Sequence, residues 1–379
     1  MSGHPARSYL MAHRAVPSAD TDPEGLRLQR SMVGCLLGTA VGDALGLSVE
    51  ALSRRRQHRL YPKIEGHRFV FGHGMISDDT EHSCMAAQAL IVSAGDPAIF
   101  ARSFAWKLRW WLLSFPPAIG FATLRALIKL WLGFAPKRSG VFSAGNGPAM
   151  RSAILGVAYG YDLNRLRKLV RASTRITHTD PKAEWAALAI AWAAHAASSA
   201  HCVEASDFLS GLRAALGEDA AAADELLNLL ERAAASAFRG ETSESFVNSL
   251  GLEAGVSGYG YHTVPVVIQA WLRRPEDFSV ALEVIRCGGD TDTVAAILGG
   301  LVGARTGRDG IPRPWMDGLW EWPRSANWIS KVGERLAEVR ITGTAQASVP
   351  LAAWALPLRG IVFTGVVLVH ALRRLLPPY

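Results

Sequence analysis

Apolar residues recur along this chain mostly three and four positions apart, and runs that alternate apolar with polar residues are scarce. That period lines up one face of a helix, whereas a half-buried strand needs a period of two. "AEWAALAIAWAAHAASSA", "DELLNLLERAAASAF" and "RPEDFSVALEVIRC" each predict a helix. Before the first of these, Asp180 and Pro181 supply an N-cap and a first helical position. The pattern predicts an all-α fold of many helices, each roughly 10 to 20 residues long. No internal repeat of fixed period is present.

Two stretches interrupt the plain helical pattern with the same chemistry. "CGGDTDTVAAILGG" sets two glycines before Asp290, Thr291, Asp292 and Thr293, and then runs apolar. Aspartates at i and i+2 cannot share a helix face. They therefore belong to a turn that opens into a helix near Thr291 or Thr293. "GHGMISDDTEHSCMAAQALIVSAG" repeats the arrangement: Gly72 and Gly74, then Ser77, Asp78, Asp79 and Thr80, then an apolar run. Acids and hydroxyls suit a helix N-terminus, but one cap needs neither two acids nor two hydroxyls. Brought together, four carboxylates would repel one another and require a cation. Their oxygen-only donor set suits Mg²⁺ or Mn²⁺ better than Zn²⁺. Spacing alone does not decide whether the two stretches meet.

Other candidates surround these. "GCLLGTAVGDALGLSVE" is a helix with glycines at 34, 38, 42 and 46, a spacing that permits close helix–helix approach. Asp43 within it reads as a satisfied buried acid, and Glu50 after it as a loop acid free to face a cleft. Gly145, Asn146 and Gly147 form a turn that opens a helix at Pro148, where exposed N–H groups suit a phosphate. Tyr259, Tyr261 and His262 fall on a flexible loop before a helix, as stacking groups or plain anchors. His178 reads as a residue at a helix start.

Composition narrows the picture. The chain has 379 residues, half of them apolar, so it can bury a full core and is not a disordered protein. Cys35, Cys84, Cys202 and Cys287 are scattered and form no CxxC pair. That argues against zinc and disulfides and predicts a cytoplasmic setting. The first 25 residues read as a loose polar tail with no secretory signal. The net charge of +7 is concentrated in "LSRRRQHRLYPK" and in residues 102–138, a footprint for phosphates, nucleic acid or anionic lipid.

Two apolar segments stand apart. Residues 106–134 are broken by Pro116 and Pro117 and carry Lys107, Arg109, Arg125 and Lys129. The tail "LPLRGIVFTGVVLVHALRRLLPPY" has an uncharged run of 13 residues, 360–372, where a membrane span needs about 20. Each is expected to be a helix that packs on the body or a partner subunit, or lies in a membrane interface. The two are expected to pack beside each other, their Lys and Arg ends reaching solvent from the rim.

Taken in order, "GCLLGTAVGDALGLSVE", "SDDTEHSCMAAQAL", "SAGNGPAMR" and "GYHT…GGDTDTVAAILGGLVGA" resemble the ADP-ribosylglycohydrolase family, of the dinitrogenase-reductase-activating glycohydrolase type. The resemblance covers roughly residues 30–318 and places a glycohydrolase domain at 26–342, with a basic aromatic insert near 100–140 and an apolar helical tail at 343–379. It implies a compact all-α orthogonal multi-helix bundle with a central two-metal cleft. Two Mg²⁺ or Mn²⁺ would be held by Ser77, Asp78, Asp79, Asp290, Asp292 and Thr293. Glu50 would act in catalysis, together with Asp79 or Asp292. Ser143, Gly145, Asn146 and Gly147 would hold the diphosphate, and His178, Tyr259, Tyr261 and His262 would contact the substrate. Ser77 stands where threonine is common in the family. The insert and the tail are not part of the family core.

The activity implied is hydrolysis of the N- or O-glycosidic bond that joins ADP-ribose to an acceptor. The acceptor is an ADP-ribosylated protein or small ADP-ribose conjugate, with a nucleic-acid conjugate also open. Rival readings are a two-metal nucleotide or diphosphate phosphohydrolase and a non-catalytic ADP-ribose-binding protein on a membrane. Peripheral membrane contact or self-association through the apolar segments is a further expectation.

Overall fold

The computed structural model describes residues 23–117, 119–199 and 203–376. The loose tail expected over residues 1–25 lies mostly outside them, and its last three positions already belong to a helix that starts at Pro23. Among the described residues the elements are α-helices, short 3-10 turns and isolated backbone bridges, without strands. The all-α expectation holds. "RPEDFSVALEVIRC" is helical only over Val280–Ile285, because Asp277 accepts from Ser279 N at 2.9 Å and holds the residues before it in a turn.

The glycine stripe decides the centre of the fold. The amino-terminal helix, Pro23–Gly46, runs antiparallel to the helix Thr291–Thr306. A Cβ added at Gly34, Gly38 or Gly42 would lie 2.1, 2.1 and 2.0 Å from the carbonyl oxygens of Gly303, Gly299 and Ala295. The two backbones therefore touch directly, and nothing larger than glycine fits at these three positions. A spacing that would mark a dimerisation face in a bilayer here joins two helices of one chain. The pairing brings Asp43, and the turn Leu47–Val49 that leads to Glu50, to the start of the helix carrying Asp292.

The helix Asp78–Ser93 packs against the amino-terminal helix, Pro97–Trp111 and Ala326–Thr342. Behind it lies a buried ion cluster. Arg324 Nη1 is 2.5 Å from Glu81 Oε1, and Trp111 Nε1 donates to the other oxygen of Glu81. Arg359 Nη2 is 2.7 Å from Glu321 Oε2. Buried charges persist only when paired in this way.

The two apolar segments form the helices Pro97–Trp111 and Phe121–Trp131, and the carboxy-terminal helix Leu356–Arg374. They meet through the turn Leu112–Ser114, where a Cβ on Gly360 would lie 1.7 Å from Ser114 O. Lys107 Nζ also donates to Ser348 Oγ at 2.9 Å. One expectation is corrected. Arg359 and Arg374 do not reach solvent from the rim but point into the body, where Glu321 and free backbone carbonyls pair with them.

Candidate active site

The acid-loaded helix starts converge. Ser77 caps the helix Asp78–Ser93 and accepts from Asp79 N at 3.2 Å, which leaves both aspartates of that motif free of capping. Asp290 occupies the cap position of Thr291–Thr306 but makes no cap hydrogen bond. Gly288 and Gly289 have φ of +73° and +84°, and a Cβ at Gly289 would meet Val256 O at 2.0 Å. This turn needs glycine both for its backbone angles and for space. The motifs meet at Asp79: its Oδ2 accepts from Ser77 Oγ at 3.1 Å and from Thr293 Oγ1, across 214 positions of sequence, at 3.2 Å.

Carboxylate oxygens of Asp43, Asp79 and Asp292 lie within 4.8 Å of one another, and so do those of Glu50, Asp290 and Asp292. Asp292 belongs to both groups. Asp78 lines the same cleft outside these two triads. Burial raises the carboxyl pKa of Asp78, Asp79 and Asp292 well above the ordinary range, and neighbouring carboxylates push in the same direction. Burial likewise raises Glu50 to about 7, reinforced by the charge of Asp290 and opposed by that of Arg374. Asp79 Oδ1 is buried without a hydrogen-bond partner. A desolvated carboxylate oxygen among like charges is costly unless a cation takes it up. The residues therefore fit a divalent metal centre built from oxygen donors.

Asp43 plays a different part. Its carboxylate accepts from Ser77 N at 2.9 Å, Thr80 N at 3.2 Å and Thr80 Oγ1 at 2.5 Å, so it anchors the first motif from the neighbouring helix. Burial raises its pKa to about 6. Reading it as a satisfied buried acid describes its bonds, but its place among the metal-site acids appears only once the helices are packed.

The acids floor a cleft of about 700 Å³. Ser143, Gly145, Asn146, Gly147 and His178 line it. Asn146 Nδ2 donates to Asp290 Oδ2 at 2.6 Å and to Thr263 Oγ1 at 2.9 Å, tying this loop to the second acidic motif. His178 Nδ1 lies 2.8 Å from Thr177 Oγ1, and burial drives its pKa down to about 3, so its ring is neutral. The tyrosine loop differs from expectation. Tyr259 is the N-cap of the helix Gly260–Arg273, and Tyr261 and His262 lie in its first turn. Tyr261 is only 2 % exposed, and none of the three lines the cleft. Residues 254–258 line it instead. Aromatic content drew attention to the tyrosines, while the small residues just before them gave no comparable signal.

The carboxy-terminal helix supplies parts that the sequence did not disclose. Arg374 Nη1 donates to Glu50 O at 2.8 Å and Nη2 to Ser48 O at 2.7 Å. His370 Nε2 lies 3.1 Å from Ser48 O. Between this helix and the acids is a second cavity of about 70 Å³, bordered by Glu50, Asp78, Asp292, Phe363 and Arg374. A helix outside the expected core thus closes one side of the acid cluster and holds the Glu50 turn.

Comparison with known proteins agrees with this architecture. The family model for ADP-ribosylglycohydrolase matches residues 24–346. The chain is 29% identical to the ADP-ribosyl-[dinitrogen reductase] glycohydrolase of Rhodospirillum rubrum over 76% of this chain and 89% of that protein. It is 30% identical to the ADP-ribosylhydrolase ARH3 of Homo sapiens over 74% of this chain and 87% of that one. A chain of a solved structure described as an ADP-ribosylglycohydrolase-related protein complex superposes with a TM-score of 0.59, at 26% identity, over 83% of this chain and 99% of that one. With its central helix pair, its acid-floored cleft and a match across most of its length, the chain belongs to the ADP-ribosylglycohydrolase family.

Proposed function

We propose that this protein hydrolyses the glycosidic bond between ADP-ribose and a protein side chain or small acceptor, using two Mg²⁺ or Mn²⁺ ions held by Ser77, Asp78, Asp79, Asp290, Asp292 and Thr293. The observation that carries the reading is the convergence of two distant acidic motifs on one cleft, with a buried Asp79 oxygen left unpartnered. Bound divalent ions supply charge compensation, a hold on sugar hydroxyls and a water of lowered pKa.

The chain's own groups do the rest. Glu50 borders the cleft, and a carboxyl held near 7 is populated in both forms at neutral pH. We assign it the proton exchange at the scissile bond, where matched pKa favours transfer. The aspartates bind the ions, and Asp43 keeps the first motif in register. The loop with Ser143, Gly145, Asn146 and Gly147 receives the diphosphate, and neutral His178 offers a polar edge without adding charge. Residues 254–258, in place of the tyrosines, contact the nucleoside side.

Peptides ADP-ribosylated on arginine or on serine test the reading. Release of free ADP-ribose, stopped by EDTA and restored by Mg²⁺ or Mn²⁺, is expected. Release of AMP or inorganic phosphate would mean diphosphate cleavage and overturn it.

A further inference from the structure

The carboxy-terminal helix, Leu356–Arg374, is amphipathic in the reverse sense for a protein surface. Its cations Arg359 and Arg374, with His370, face inward and bond to the body. Its outward stripe is aliphatic: Leu358, Ile361, Val362, Leu368, Val369 and Leu372 are each 55–62 % exposed or more, Val369 reaching 69 %. Their spacing of three and four makes one continuous helix face. Water is a poor partner for such a stripe, and a contiguous patch of this kind marks an interaction surface.

The charge pattern says what covers it. Residues 97–142 and 343–379 contain ten Lys and Arg and no Asp or Glu. Their +10 exceeds the +7 of the whole chain, which leaves the remainder at −3. Of 27 exposed large apolar side chains among the described residues, 20 lie in these two segments. Arg359 is offset by Glu321 inside the body, but Arg102, Arg125, Lys137, Arg138 and Arg373 are exposed. Surface cations and exposed apolar side chains thus share the same segments, which adjoin where Gly360 packs on Ser114. Trp354, 75 % exposed, stands before one end of the helix and the exposed Arg373 near the other. A second copy docked face to face through the same segments would offer them no carboxylate in return. An anionic bilayer offers both an apolar boundary layer and negative headgroups.

We infer that this face docks on anionic phospholipid, with the carboxy-terminal helix lying in the plane of the membrane interface. The helix does not cross the bilayer, since its inward face is bonded to the body. The inference does not depend on the reaction assigned above.

The test is co-sedimentation of the full chain with vesicles of phosphatidylcholine alone and of phosphatidylcholine with phosphatidylglycerol. Binding to the anionic vesicles is expected, about tenfold or more above the neutral ones and weakened by salt. V369D/L372D should lose that binding while thermal stability and hydrolysis of a soluble substrate are retained, because both side chains point away from the body. K137Q/R138Q, at exposed insert positions, should weaken only the anionic preference. Failure to sediment with either vesicle would overturn the proposal. So would equal binding to both, unchanged binding by V369D/L372D, or a dimer that V369D/L372D dissociates in place of vesicle binding.

Discussion

Among the described residues two helices are long and apolar enough to cross a membrane by length and composition, one near each end, and the fold uses them in opposite ways. The amino-terminal one is buried along its whole apolar window, whereas the carboxy-terminal one is 22 % buried. The difference lies in their small residues. Gly34, Gly38, Gly42 and Gly46 let the first press backbone to backbone on Thr291–Thr306, and burial follows from that approach. The carboxy-terminal helix makes one such approach, Gly360 on Ser114, but has large aliphatics on its free side and otherwise anchors through three basic side chains. Both nevertheless converge on Glu50: the first ends just before it, and the second grips its turn. Apolar length alone therefore separates neither a core helix from a surface helix nor a structural helix from one that shapes a site.

The comparison can be broken most severely from the buried side. Gly42→Val would drive a side chain into the Ala295 carbonyl, where only backbone could yield. It should cost at least about 3 kcal/mol, the upper end for overpacking. Denaturant melts should show that loss together with loss of activity. At the point of convergence, Glu50→Gln should lower kcat by about 10²-fold, the scale of a lost acid–base group. KM should change far less.

Arg374→Ala should act on the same turn from outside, lowering kcat about tenfold while KM and the unfolding midpoint hold, the scale of a lost supporting contact. Because the Arg374 charge holds the Glu50 pKa down, the Glu50 limb of the pH profile should also move upward, and Arg374→Lys should restore part of it.

The acids themselves give a pH prediction. Asp43 at about 6 and Glu50 at about 7 lie above their ordinary values, so the native chain without metal binds protons that the unfolded chain releases. The stability these two groups contribute is fully present below about pH 4 and should be lost as pH rises through about 7. Scanning calorimetry in EDTA from pH 5 to pH 8 checks this, and added Mg²⁺ or Mn²⁺ should reverse most of the fall at pH 8. The smallest effect belongs to the exposed stripe: Val369→Asp should change stability by no more than about 0.5 kcal/mol.

How much of this the sequence discloses follows from the range of each interaction. Helix period, the glycine seam and the acid-rich turns are local, so they are legible before folding. So is the family resemblance, which rests on the order of such pieces. The meeting of Asp79 with Thr293 spans 214 positions, and no local pattern reports it. The Asp43 carboxylate looks like a lone core acid until Ser77 and Thr80 are brought against it. Tyr261 reads as a loop residue because it is an aromatic near glycines, whereas the helix begins at Gly260. Arg374 gives no such signal, because a basic pair at the end of an apolar run looks like a solvated rim, and only the packed structure shows the carbonyls that claim it.

The central claim is that two distant acidic motifs build a single metal centre in which Asp292 is shared. Counting Mn²⁺ bound per chain, by equilibrium dialysis with electron paramagnetic resonance of the free ion, tests it most directly. The account predicts two ions on the wild-type chain, with binding at both positions weakened in Asp292→Ala while the helical circular dichroism is unchanged. Wild-type stoichiometry and affinity in Asp292→Ala, or no Mn²⁺ binding by the wild-type chain, would contradict it.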